Sequence, residues 1–122
     1  MKTHYWIFVV LLMFTVKISS AQTTCNEIIR YVKLESKGQT YDSPDSKLIS
    51  EVTFYNYIDS RNKTSVYAVV LTKNSSQKYV YLINTYARAS YVKHYKKNTR
   101  KAFLDYIHPY NNQLNCGLKS ID

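Results

Sequence analysis

Ile49-Ser50-Glu51-Val52-Thr53-Phe54-Tyr55-Asn56-Tyr57-Ile58, residues 49–58, reads as a β-strand. Val52, Phe54 and Ile58 fall on one face, and Glu51, Thr53, Tyr55 and Tyr57 on the other, the period of two that a strand imposes. Asp59 to Lys63 is a polar connection. Ser65 to Thr72 follows, β-branched and apolar on both faces as a central strand should be. Lys73 to Gln77 forms a turn, and Lys78 to Ile83 returns with aromatic and aliphatic residues alternating. Short loops between three such segments predict an antiparallel three-stranded meander.

The flanks change period. Thr23 to Ser36 predicts a helix: Thr24 can cap it, Glu27 sits three residues later as in a capping box, and Ile28, Ile29, Val32 and Tyr31 offer an apolar face. Gly38 suits the helix stop, and residues 39–47 (QTYDSPDSK) read as an exposed connection. Beyond the strands, Thr85 to Lys97 predicts a second helix with Tyr86, Ala89, Val92 and Tyr95 on its apolar face. Asn98 or Thr99 caps a third, which carries Ala102, Phe103, Tyr106 and Ile107 inward. Pro109 ends or bends it, and a short turn from Asn111 to Leu114 leads to Cys116. The expectation is an α+β domain, with helices packed on one side of a small antiparallel sheet.

Residues 1–21 have the parts of a cleavable secretory signal. Lys2 gives the positive start, Ile7 to Val16 is an apolar run, and Ser19 and Ala21 are small residues at −3 and −1 of a cut before Gln22. The run holds roughly ten residues where a spanning helix needs about twenty, so no membrane anchor is expected after cleavage. Residues 22–122 then form one secreted or periplasmic domain. Cys25 and Cys116 lie near its two ends, and two cysteines in an exported chain most simply pair with each other. Asn62-Lys63-Thr64 and Asn74-Ser75-Ser76 fit the N-glycosylation pattern, both in predicted turns.

Charge is unevenly distributed. The chain carries +9, which falls to +7 when Lys2 and Lys17 leave with the signal. Between Asp59 and Asp105 there is no acidic residue. Arg88, Lys93, Lys96, Lys97, Arg100 and Lys101 are concentrated in the later half of that interval. Such a block suits a polyanion, because each neutralised phosphate releases condensed counterions. Tyr79, Tyr81, Tyr86, Tyr91 and Tyr95 are interleaved with it, and rings on the surface would stack unpaired bases. A charge run is equally the solvated face of a helix.

Catalytic signatures are lacking. His94, His108 and Lys97 have the residue types of a small ribonuclease but no spacing that supports one. Asp105 lies four residues after Lys101, where an ion pair explains it. Gly38 and Gly117, the only glycines, cannot build a phosphate-cradling loop, and two cysteines with His94 and His108 make no recognisable zinc pattern. Neither cofactor nor metal is expected.

Residues 46–110 resemble the KTSC domain, a short module found at the C-terminus of some lysyl-tRNA synthetases and as a stand-alone bacterial protein. Ile49-Ser50-Glu51-Val52-Thr53-Phe54-Tyr55 is similar to its opening strand, Tyr79-Val80-Tyr81 to its central Tyr-x-Tyr, and Asn98-Thr99-Arg100-Lys101-Ala102-Phe103, leading to Ile107 and Tyr110, to its closing segment. Arg100 stands where the module usually has glycine. The resemblance implies the module's fold and points to RNA as a class of ligand.

The leading expectation is therefore a non-enzymatic exported binding module. Arg88, Lys93, Lys96, Lys97, Arg100 and Lys101, with Tyr79 and Tyr81, would engage nucleic acid or another polyanion. The alternative is a structural or protein-interaction domain of the cell envelope, using the sheet face that bears Tyr55 and Tyr57. A secreted nuclease is the third reading.

Overall fold

A computed structural model describes residues 24–119; the expected secretory signal, 1–21, lies outside the described residues. The architecture is α+β. Helix α1 (24–35) leads into strands β1 (Gly38–Asp42), β2 (Ile49–Ile58), β3 (Thr64–Thr72) and β4 (Lys78–Ile83). Helices α2 (Thr85–His94) and α3 (Thr99–Tyr106), a 3-10 turn (His108–Tyr110) and a one-turn helix α4 (Asn111–Leu114) complete it. The sheet is antiparallel throughout in the order β1-β2-β3-β4.

Its hairpins are built by side chains that satisfy turn amides. Asp59 Oδ1 accepts from the N–H groups of Arg61 and Lys63, both at 2.9 Å, and Asn62 sits at the tip in the left-handed region with φ 60°. Ser75 Oγ accepts from Gln77 N–H between β3 and β4, and Ser46 Oγ accepts from Leu48 and Ile49 N–H between β1 and β2.

The three-stranded expectation is corrected to four. Residues 38–42, expected to be the helix stop and an exposed connection, pair along β2 from Gly38↔Tyr55 to Asp42↔Glu51. Gly38 does not adopt a positive φ. Its role is close approach: a Cβ there would stand 2.6 Å from the Tyr55 ring.

Helices also cover both faces of the sheet rather than one. On the first face Val52, Phe54, Val66, Ala68, Val70, Tyr81 and Ile83 pack against Ala87, Tyr91 and Tyr95 and against Ala102, Phe103 and Ile107. On the second, Tyr55, Val69 and Val80 pack under Ile29 and Val32 of α1, together with Cys116. Ile49 reaches the first face although its number is odd, because the β2–β3 register slips between Ile49 and Glu51 and the bulge inverts the alternation there. Ile58, expected on the inner face, is exposed at the strand end.

The inward row of α2 also differs from expectation. Ala87, Tyr91 and Tyr95, spaced by four, are buried, while Tyr86 is 74% exposed and Ala89 is exposed too. Rows spaced by three and by four both read as apolar here, and the sheet selects the second.

Cys25 and Cys116 form a disulfide across 91 residues, with Cα atoms 5.7 Å apart. A cross-link over so long a loop removes about 4 kcal/mol of unfolded-state entropy in the chain-entropy picture. Replacing both cysteines by serine is expected to lower the free energy of unfolding by about 2–4 kcal/mol in urea titrations. Hydrogen exchange should rise first at the Ile29 and Val32 amides, whose helix the cross-link holds to the sheet.

Candidate polyanion interface at the α2–α3 corner

The turn between α2 and α3 is tightly specified. Asn84 caps α2 by accepting from Ala87 N–H at 2.8 Å, and Asn98 caps α3 by accepting from Lys101 N–H at 3.0 Å. Thr99 Oγ1 donates to the Tyr95 carbonyl at 2.7 Å, and Lys97 N–H donates to the His94 carbonyl at 3.2 Å. With Tyr95, Ala102 and Phe103 buried beneath, this corner presents Lys93, Lys96, Lys97, Arg100 and Lys101 outward, all exposed.

Electrostatically the corner is unusual. Lys93 lies in the last turn of α2, where a cation complements the helix dipole. Arg100 and Lys101 lie in the first turn of α3, which contains no acid, so two cations face the positive end of a helix. Local stability would favour carboxylates there. Lys101 is offset by Asp105, which accepts from its Nζ at 2.9 Å, and that hydrogen bond and charge hold the ammonium above its ordinary pKa.

The His94 ring stacks on Tyr106 with centroids 5.6 Å apart and planes 19° apart. A groove of about 260 Å³ runs between them and Lys97, Asn98, Lys101, Ala102 and Asp105. An exposed rim of ammonium groups around a shallow groove can hold phosphate, sulfate or carboxylate groups of a flexible polyanion. Tyr106 is expected on the inner face of α3. It is half-buried, and its stacking on a histidine twelve residues away had no local signal.

The other expected site residues have different work. Arg88 is not part of the rim: its guanidinium donates to Asn56 Oδ1 at 2.6 Å and Gln39 Oε1 at 2.8 Å and lies 5.3 Å from the Phe54 ring centroid. It ties α2 to β2 and to the edge strand β1. Of the five interleaved tyrosines, Tyr81, Tyr91 and Tyr95 are buried and Tyr79 is half-buried against the core; only Tyr86 stands clear. Stacking on Tyr81 is thus ruled out by its position, because alternation along β4 turns it to the face that α3 covers.

Tyr81 is instead a structural node. Its hydroxyl accepts from Leu118 N–H at 2.8 Å and lies 3.3 Å from His108 Nδ1, while its ring meets Phe103 edge-on. Gly117 passes directly against the ring, where a Cβ would collide, and its N–H donates to Asn111 Oδ1 at 2.7 Å. Burial pushes the Tyr81 phenol up to about 12, the hydrogen bond from Leu118 opposing it in part.

Tyr91 is pushed up by burial as well. Its hydroxyl and Ser43 Oγ are buried as neighbours, yet neither makes a hydrogen bond of full geometry.

The histidines invoked for a nuclease meet different partners. The groove holds His94 with Lys97, whereas His108 contacts Tyr81 and Phe103. Tyr55 and Tyr57, the alternative interface, lie on the face that α1 covers: Tyr55 is buried, and Tyr57 Oη is 3.1 Å from Tyr31 Oη. Among the described residues no group of three His, Cys, Asp or Glu side chains could hold a metal ion, and no helix is long and apolar enough to cross a membrane. No protein-family model, curated protein or solved structure matches the chain. The likeness to the KTSC module therefore rests on the residues themselves.

Tyr81 and Tyr91 should respond oppositely to loss of their hydroxyls. Tyr81→Phe strands the buried Leu118 N–H and is expected to cost about 1–3 kcal/mol, while Tyr91→Phe should be neutral or stabilising by up to about 1 kcal/mol. Urea denaturation of each variant measures both. Alkali tests the same site. Since folding raises the Tyr81 pKa from 10.0 to about 12, its contribution is complete below pH 10 and is lost as pH rises through about 12. Unfolding followed between those values should show the loss, and Tyr81→Phe should reduce it, leaving the part that Tyr91 supplies.

Proposed function

We propose that the protein is an exported, non-enzymatic binding module whose α2–α3 corner engages a polyanion, nucleic acid or an acidic polysaccharide. One observation carries this reading. A stretch without acidic residues from Ser60 to Leu104 folds so that Lys93, Lys96, Lys97 and Arg100 are exposed around one turn, with Arg100 and Lys101 at the helix end where carboxylates would be more stabilising. Sequence positions that oppose local stability are those expected to serve a ligand.

Export is supported by the long-range disulfide, a bond that persists in oxidising compartments. The resemblance to the KTSC module, for which RNA binding has been suggested, favours nucleic acid among the polyanions. With Tyr81 buried, recognition falls to the phosphate or sulfate groups rather than to base stacking on the Tyr-x-Tyr strand, so affinity should depend on charge density more than on sequence.

Binding of the chain lacking residues 1–21 to fluorescent single-stranded RNA, single-stranded DNA and heparin, titrated with salt, tests the proposal. Engagement of three or four phosphates predicts a log–log salt slope of about −2 to −3 on single strands. Reversing Lys96, Lys97, Arg100 and Lys101 together to glutamate should abolish binding while leaving the circular dichroism spectrum unchanged. A shallow slope, or full affinity in the reversed variant, would overturn the electrostatic reading and favour a protein partner. RNA cleavage that disappears on replacing His94 would instead revive the nuclease.

A further inference from the structure

The opposite face of the sheet carries a second cluster of polar groups that the basic corner does not use. Alternation along β2 sets Glu51, Thr53 and Tyr55 on this face, and the register places Thr40 of β1 beside Thr53, their hydroxyls 2.8 Å apart. Lys78, two residues before the buried Val80, projects from β4 on the same face. From above, α1 contributes Lys33, next to Val32, which is buried against the sheet. These groups line a groove of about 300 Å³ between α1 and the sheet.

The charges in the groove are poorly matched. Lys33 and Lys78 line the same groove, and among the described residues neither is ion-paired with a carboxylate. The neighbouring Lys78 side chain, with desolvation, lowers the Lys33 pKa, and Glu51 opposes this only in part. The same register separates Glu51 from Lys78 by one intervening strand position, Leu71. Burial raises the Tyr55 pKa, and its hydroxyl lies within the field of both Lys78 and Glu51. Two cationic side chains in one groove, balanced by the single carboxylate of Glu51 and set beside hydroxyl donors, form a receptor for a tetrahedral or planar oxyanion. An anion held there would offset the repulsion between Lys33 and Lys78.

We propose that this groove binds a small oxyanionic ligand, its carboxylate or phosphate held between Lys33 and Lys78 with hydroxyl donation from the Tyr55 and Thr53 side. Glu51, at the other end, would accept hydrogen bonds from hydroxyl or amine groups of the same molecule. The site is independent of the α2–α3 corner, lies on the other face of the sheet and gathers its charges within one groove rather than along an open rim.

Titration of protein carrying 13C-labelled lysine with inorganic phosphate, gluconate and methyl glucoside, followed by NMR, tests it. Phosphate or gluconate should move the Lys33 and Lys78 Cε resonances saturably, and the bound anion should raise the Lys33 pKa. Uncharged methyl glucoside should do neither. A response to gluconate alone assigns a carboxylate ligand that also uses Glu51; a response to phosphate alone assigns a phosphate ligand. Lys33→Met and Lys78→Met, which keep the aliphatic stems, should each weaken binding about tenfold or more. The glutamate variant of Lys96, Lys97, Arg100 and Lys101 should bind small anions normally, which separates this site from the polyanion reading. Absence of saturable shifts in the wild-type protein up to about 10 mM anion, or unchanged shifts in both methionine variants, would overturn the proposal.

Discussion

The structure depends on how three residues, Cys116, Gly117 and Leu118, lie along the outer edge of β4. Val80 N–H donates to the Cys116 carbonyl at 3.2 Å, so the segment satisfies an edge that would otherwise offer open backbone groups. On one side Cys116 enters the core beneath α1 and is bonded to Cys25 of that helix. On the other, Leu118 enters the core shared with α2 and α3, its amide fixed by the Tyr81 hydroxyl. Gly117 between them is required because the Tyr81 ring occupies the space of a side chain. One short segment thus joins two apolar clusters that the sheet keeps apart.

That arrangement explains why the rest of the molecule can spend its surface on charge. With both sheet faces covered and one edge closed, the outward sides of α2 and α3 have no packing duty and are open to charge, even at the start of α3 where cations oppose the helix dipole. The two clusters of cations differ in kind. Around the α2–α3 turn they are spread along an open rim, suited to repeated contacts with a long ligand. Beneath α1 they converge in a groove with hydroxyls and one carboxylate, suited to a single small one.

Much of this was legible in the amino-acid order. Strands β2 and β4 run over the residues that alternation marks, β3 begins one residue earlier, Asn98 caps α3, and the two cysteines pair. Strand β1 was not legible, because Gly38-Gln39-Thr40-Tyr41-Asp42 has little strand preference of its own and is ordered by the free edge of β2. The second core was hinted at by Val69 and Val80, apolar on the face away from α2, but Glu51, Thr53 and Tyr57 disguised that face as solvated. Of the candidate site, the lysines were legible because exposure is their default. Arg88 and Tyr81 were not, since an arginine bridging two amides and a tyrosine bound to a distant backbone look locally like surface residues.

The position of the clasp also sets an order of events during synthesis. A chain emerging from its N-terminal end can pair β1, β2 and β3 through nearby hairpins, but α1 has no complete seat until residues 116–118 arrive. The helix made first is therefore among the last to dock. Closure of both apolar clusters, and of the disulfide that spans them, therefore waits for nearly the whole chain.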